Sequence, residues 1–287
     1  MLLAIVIVVL ITTVVDSNHS YWAQPYISFR DIARNVALLG IFALGAGVVI
    51  IAGGIDLSSG SMIAFSGTIC ASTMMLLAPT AMMRMEPVGP LVAACGMAAA
   101  ILSGFLVGTL HAWLITSVRL PPFVATLATL VGLRSFARAL CGYVTAKTLS
   151  GSGNTEINVY DPFFQFMREN IWYVYVPVFL VLAACTFLLL GYTVLGRHIY
   201  ALGGNEEAAR LSGIRTDSVK WFAYCFSAVT ASIAGIFYVA DQSVASPVNQ
   251  GVGYELNAIA AAVVGGCSLQ GGIGSVPGII LGVVFLR

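Results

Sequence analysis

Asp56 is the only acidic residue between Asp31 and Glu86, and it sits in Gly53-Gly54-Ile55-Asp56-Leu57-Ser58-Ser59-Gly60-Ser61, where the apolar run from Val36 to Ile55 ends. A carboxylate at membrane depth is costly unless it is paired or hydrated. Two uses fit it. It can N-cap the helix that follows, with Ser58 or Ser59 satisfying the first N–H groups. Alternatively, Asp56, Ser58 and Ser59 can line a polar route on which hydroxylated solutes exchange hydrogen bonds with water for hydrogen bonds with protein. The two uses are compatible, because a capped helix break often forms a cavity wall. A second polar pair, Glu255 and Asn257, opens Gly253-Tyr-Glu-Leu-Asn-Ala-Ile-Ala-Ala-Ala-Val-Val-Gly265-Gly266. These are either first-turn polar groups at the headgroup level or residues that shape an outer mouth.

The third constellation is the loop Gly196 to Ile214. Gly203 and Gly204 end one element, and Asn205 is a good N-cap. Glu206 and Glu207 occupy a first turn, where the helix dipole favours acid. Ala208, Ala209, Arg210 and Leu211 continue a short helix that Gly213 can stop. Such a helix either rests on lipid headgroups or docks into a groove of another protein. With an apolar side made mostly of alanine, it offers little to lipid and suits a close protein contact.

Other chemistry is missing from the chain. Its two lysines, Lys147 and Lys220, follow Ala146 and Val219, so no phosphate-binding P-loop is present. His19, His111 and His198 lack Cys or acidic partners at zinc-like spacing, and no Gly-x-Ser-x-Gly nucleophile motif occurs. The residues predict neither a catalytic site nor a cofactor held by this chain. Six cysteines, Cys70, Cys95, Cys141, Cys185, Cys225 and Cys267, are scattered through apolar segments and read as small core residues.

The elements that must position these groups are membrane helices. Of 287 residues, 59% are hydrophobic and 9% charged, against roughly a quarter charged in a soluble domain, and mean hydropathy is +0.95. Long apolar runs without strand-like alternation predict an all-α polytopic membrane protein, one transmembrane domain over 1–287. Spans are predicted near 2–15, 35–54, 61–78, 91–116, 122–141, 173–191, 219–240 and 255–266, with a ninth starting near 275. The first reads as a span because it lacks the basic leader and cleavage site of a secretory signal. The last reads as cut short. A net charge of +1 gives no field for nucleic acid.

Between spans lie two polar stretches, 142–170 and the more basic 192–220. With a cytoplasmic amino terminus, alternation puts 192–220 inside and 142–170 outside, although Arg30, Arg34, Arg84 and Arg138 then also fall outside. Gly-Gly-x-x-Leu-x-x-Gly occurs at Gly53 to Gly60 and again at Gly265 to Gly272. Glycine-rich breaks at membrane depth free backbone groups that only protein or a wet cavity can satisfy, so Gly54, Gly265 and Gly266 point to a pathway. Gly104-x-x-x-Gly108 and Gly278-x-x-x-Gly282 are packing signals.

These motifs, together with Arg119-Leu-Pro-Pro-Phe-Val-Ala-Thr-Leu-Ala128, closely resemble the ribose/galactofuranose/autoinducer class of ABC transporter permeases, in order from about residue 30 to 287. The resemblance implies a multi-pass subunit of the bacterial inner membrane that imports a monosaccharide by alternating access. Its implied partners are a second permease subunit, identical or homologous, two cytoplasmic ATPase subunits that hold ATP and Mg, and a periplasmic sugar-binding protein. It assigns Gly204, Asn205, Glu206, Glu207, Ala208, Ala209, Arg210 and Gly213 to the segment coupled to the ATPase, and adds Phe123 and Thr126 to the pathway residues. The chain departs from the family at His111, where asparagine is common, at Ser59, where valine is usual, and at Asn257, where aspartate is usual. Two readings from other classes are an ion-coupled transporter using Asp56 and Glu255, and a scaffold subunit that moves no solute.

Overall fold

The computed structural model describes residues 2–16, 23–148 and 153–287. Its elements are α1 (Leu2–Val15), α2 (Pro25–Ile51), α3 (Ser59–Leu77), α4 (Pro79–Arg84), α5 (Pro90–Thr116) and α6 (Pro122–Thr148). There follow β1 (Ile157–Asn158), α7 (Pro162–Glu169), α8 (Tyr175–Tyr192), α9 (Val194–Gly204), α10 (Glu206–Leu211), α11 (Thr216–Gln242), β2 (Val244–Ala245), α12 (Tyr254–Val264) and α13 (Val276–Leu286). β1 and β2 form one short antiparallel pair, Ile157 opposite Ala245.

Among the described residues six helices, α2, α3, α5, α6, α8 and α11, are long and apolar enough to cross a membrane. The nine spans expected are not confirmed, because α1, α12 and α13 are apolar but shorter. At 1.5 Å per residue the 11 residues of α12 rise about 16 Å, half a hydrocarbon layer. Boundaries shift as well. α2 starts ten residues before the predicted 35, so Arg30 and Arg34 lie inside a helix and not in an outer loop, and α6 runs on past 141 to Thr148. Proline opens α2, α5, α6 and α7, where its missing N–H costs nothing.

α2, α3 and α11 form the centre. Every residue of α2 from Ala37 to Ile51 is buried, which explains why its sequence is apolar on all sides. α11 packs on α5, α2 and α3, α6 lies against α3, and α12 and α13 pack together against α2. α5, α6 and α8 expose broad apolar faces, including Leu102, Leu106, Val131, Phe136, Leu180 and Val181. Both small-residue signals are helix contacts. A Cβ at Gly104 would strike Ser232 and Ala228, one at Gly108 would lie 2.5 Å from the Cα of Cys225, and Gly278 and Gly282 press on the carbonyls of Gly265 and Ala261.

Exposed aromatics mark two rims. Tyr26, Phe29, Phe166 and Tyr173 lie at one end of the long helices and Trp113, Tyr192 and Trp221 at the other, as interfacial belts require. Cys70, Cys141, Cys225 and Cys267 are buried, as expected of small core residues, but Cys95 and Cys185 are exposed on the outer helices.

Candidate functional site

α2 ends in a glycine cap: Gly53, at φ +82°, donates to Ile50 O, and Gly54 donates to Val49 O. The five residues from Gly54 to Ser58 that separate this cap from α3 turn Asp56 into the bundle, where it is 1% exposed. Its Oδ1 accepts from Ser58 N (2.9 Å) and Ser58 Oγ (2.6 Å), and its Oδ2 accepts from Ser227 Oγ of α11 (2.7 Å). Three donors surround an acceptor-only carboxylate, which is how a buried acid is made tolerable. The expectation that Asp56 caps α3 is not met: the N-cap position belongs to Ser58, and no side chain caps the helix. The Ser58 hydroxyl is spent on Asp56. Ser59 is buried too, and its Oγ has no partner.

Thr126 Oγ1 reaches Ile55 O at 3.3 Å, which ties α6 to the break, whereas Phe123 projects from the exposed face of α6. His111 Nε2 pairs with Thr129 Oγ1 at 2.7 Å, and its ring meets Tyr224 edge-on. Asp56, Ser58, Thr126, His111 and Ser227 therefore form a polar seam between α3, α5, α6 and α11. Ser227 escaped the sequence reading because α11 gives no motif around it. His111 was singled out only as a departure from the family pattern.

The predicted Asn205 helix is α10. Asn205 Oδ1 accepts from Ala208 N at 2.9 Å, Glu206 and Glu207 fill the first turn, and Gly213 turns the chain at φ +85°. Ala209 faces inward. Gly204, Glu207, Ala208, Arg210 and Gly213 face out, and Leu211 is 81% exposed. Glu207 pairs with Arg210 at 2.7 Å. That carboxylate holds the pKa of the Arg210 guanidinium above its already high value, first by hydrogen bonding and then by charge. Glu206 pairs with Lys220 of α11. The stretch 192–220 is accordingly helical over most of its length, α9 and α10 included.

Behind α10 the chain closes on itself through glycine. Gly272 N donates to Ile51 O at 2.9 Å, Tyr200 Oη donates to Gly274 O at 2.8 Å, and a Cβ at Gly203 would collide with Ile51 O. Gly271, at φ +88°, lies against Gly53 and Gly203. The two echoed glycine segments thus touch. Their helix ends match with a one-residue offset: Gly266 donates to Val263 O and Cys267 to Ala262 O, as Gly53 and Gly54 do in α2. A cavity of about 390 Å³, lined by Gly53, Gly54, Gly204, Asn205, Glu206, Lys220, Tyr224 and Gln270, joins this junction to α10. Gly54 alone of the expected pathway residues lines it. Glu255 and Asn257 lie in the first turn of α12, whose start is carried inward because Gly251 packs on Gly60. Glu255 thus stands beside Gly60 of α3. Gly265 and Gly266 cap the far end of α12.

A helical bundle with six membrane-length apolar helices among the described residues, two shorter apolar helices packed on it and an exposed helix tethered by charge is the architecture of a polytopic membrane protein. The chain belongs to the family described as branched-chain amino acid transport system / permease component, which it matches over residues 28–287. It is similar to the ribose import permease protein RbsC of Escherichia coli K12, with 38% identity over 192 residues, 66% of this chain and 58% of that protein. It is also similar to the autoinducer 2 import system permease protein LsrC of Yersinia pseudotuberculosis serotype O:3, with 34% identity over 285 residues, 99% of this chain and 74% of that protein. The chain thus covers 58% of the length of the Escherichia coli relative. No solved structure matches it.

Proposed function

We propose that the chain is the membrane-spanning subunit of an ATP-binding-cassette importer that passes a monosaccharide, or a molecule of similar size and hydroxylation, through the bacterial inner membrane. The observation that carries this reading is α10, a capped, outward-facing helix with an exposed leucine, tied by Glu206 to α11 and through Gly203 to the break that follows α2. Force applied there reaches two of the three central helices without crossing flexible chain. Two cytoplasmic ATPase subunits holding ATP and Mg would supply it, a second permease subunit would complete the route, and a periplasmic binding protein would deliver the solute. The names of the ribose and autoinducer 2 relatives support this choice of substrate class.

Mechanically, closure of the ATPase pair shifts α10 and α9, and the Gly203–Ile51–Gly272 junction carries the shift into α2 and the α12–α13 unit. The Asp56 seam keeps α3 and α11 moving together. The test is uptake of radiolabelled ribose by vesicles in which the chain is reconstituted with its ATPase and binding protein. Accumulation that requires ATP and persists with a protonophore is the expected result. Uptake without ATP that collapses with the proton gradient would transfer the assignment to an ion-coupled carrier using Asp56 and Glu255.

A further inference from the structure

Arg134 stands in the middle of α6, twelve residues from its start and about 18 Å along it. Its neighbours on the helix include exposed Val131 and Phe136 and buried Leu133 and Ala137. An arginine at that depth is kept only where its donors are used, and it marks a functional element by default. Here Nη1 is shared among three main-chain carbonyls, Gln250 O at 3.0 Å, Pro247 O at 3.2 Å and Val248 O at 3.3 Å.

Those carbonyls belong to the non-helical segment between β2 and α12. From the end of α11 this segment turns back into the bundle until Gly251 touches Gly60, one turn beyond Asp56. Non-helical backbone at such depth survives only with protein partners. Three side-chain holds are visible. On the side of α11, Gln250 Nε2 donates to Gln242 Oε1 at 2.9 Å. On the outer side Glu156 accepts from Ser246 Oγ at 2.7 Å, next to the β1–β2 pair. On the side of α6 the hold is Arg134. Immediately after the segment comes Glu255, whose charge acts on Arg134 and whose buried Oε2 has no hydrogen-bond partner.

We propose that Arg134 is a positioning residue of the permeation route: its guanidinium pins Pro247–Gln250 inside the bundle, and Glu255 receives that guanidinium when the segment withdraws. A released arginine needs another acceptor at the same depth, and the free carboxylate oxygen supplies one. The exchange makes the segment two-state without leaving a bare charge at any stage. It rests on the importer reading only in taking this as the solute's route; the pinning itself does not.

The experiment is amide hydrogen exchange on residues 246–253 in the complete complex in lipid nanodiscs, with uptake measured in parallel. R134Q is expected to speed exchange of Val248 to Gly251 tenfold or more while α3 and α11 keep their protection. R134K, which keeps a cationic donor, recovers most of that protection. E255Q leaves the resting segment protected but lowers its ATP-driven exposure and the uptake rate at least fivefold. Protection in R134Q within twofold of wild type, or E255Q behaving as wild type in both assays, overturns the proposal. If R134Q does not accumulate, E156Q with Q242A decides: with the Glu156 and Gln242 holds both removed, the segment must stay protected within twofold on the Arg134 hold, and its release would count against the pin. Failure of ATP-driven uptake in the wild-type complex would contradict the importer reading, while the exchange data still judge the pin.

Discussion

Asp56 and Glu206 are both carboxylates joined to α11, and the bundle treats them in opposite ways. Asp56 is enclosed and holds three donors, one of them Ser227. Glu206 is half exposed and held only by Lys220. A buried charge that loses its partners costs several kcal/mol, whereas a surface pair contributes ~1 kcal/mol or less. The first carboxylate is therefore part of what makes the central helices one body, and the second is free to spend its charge on a neighbour outside the chain.

Four variants probe that contrast. Asp56→Ala strands Ser58 and Ser227 and opens a hole between α3 and α11, and is expected to destabilise the bundle by about 3–5 kcal/mol. A thermal-shift assay in nanodiscs checks this, and an unchanged transition would mean the seam holds nothing together. Gly203→Ala forces a methyl group onto Ile51 O, an overpacking worth about 1–3 kcal/mol. It should also weaken ATPase stimulation by the binding protein, since the junction lies between α10 and α2; loss of stability with full stimulation would separate the junction from coupling. Glu206→Lys with Glu207→Lys is expected to change stability by less than ~1 kcal/mol while lowering stimulated ATPase activity tenfold or more. Equal damage to fold and coupling would erase the distinction between the two regions. The smallest expected effect is one of pH. The Arg210 guanidinium is charged throughout pH 6 to 8 even without the upward push from Glu207, so stimulated turnover should show no titration that Arg210→Gln removes.

The legibility of these regions in sequence follows the same divide. The Asn205 helix could be read almost residue by residue, because capping, first-turn acid and a stop glycine are local interactions within nine positions. Helix existence was equally plain from apolar runs. Helix length was not: α2 extends through Arg30 and Arg34, polar residues that look like loop until tertiary partners such as Glu169 O for Arg30 and Asp241 for Arg34 are known. Ser227 and the Gly203–Ile51–Gly272 contact depend on residues far apart in the chain, and no spacing rule finds them. Arg134 did carry a signal, a charge inside a predicted span, although its carbonyl partners lie more than a hundred residues away. The echo of Gly53–Gly60 in Gly265–Gly272 was visible as letters, but the shared helix cap is offset from it by one residue.

Photo-crosslinking from position 208, with a benzophenone amino acid in place of Ala208, tests the central claim most directly when done on the assembled complex in vesicles. The account predicts a nucleotide-sensitive crosslink to the ATPase subunit. Crosslinks to the periplasmic binding protein, or to lipid alone, would contradict it.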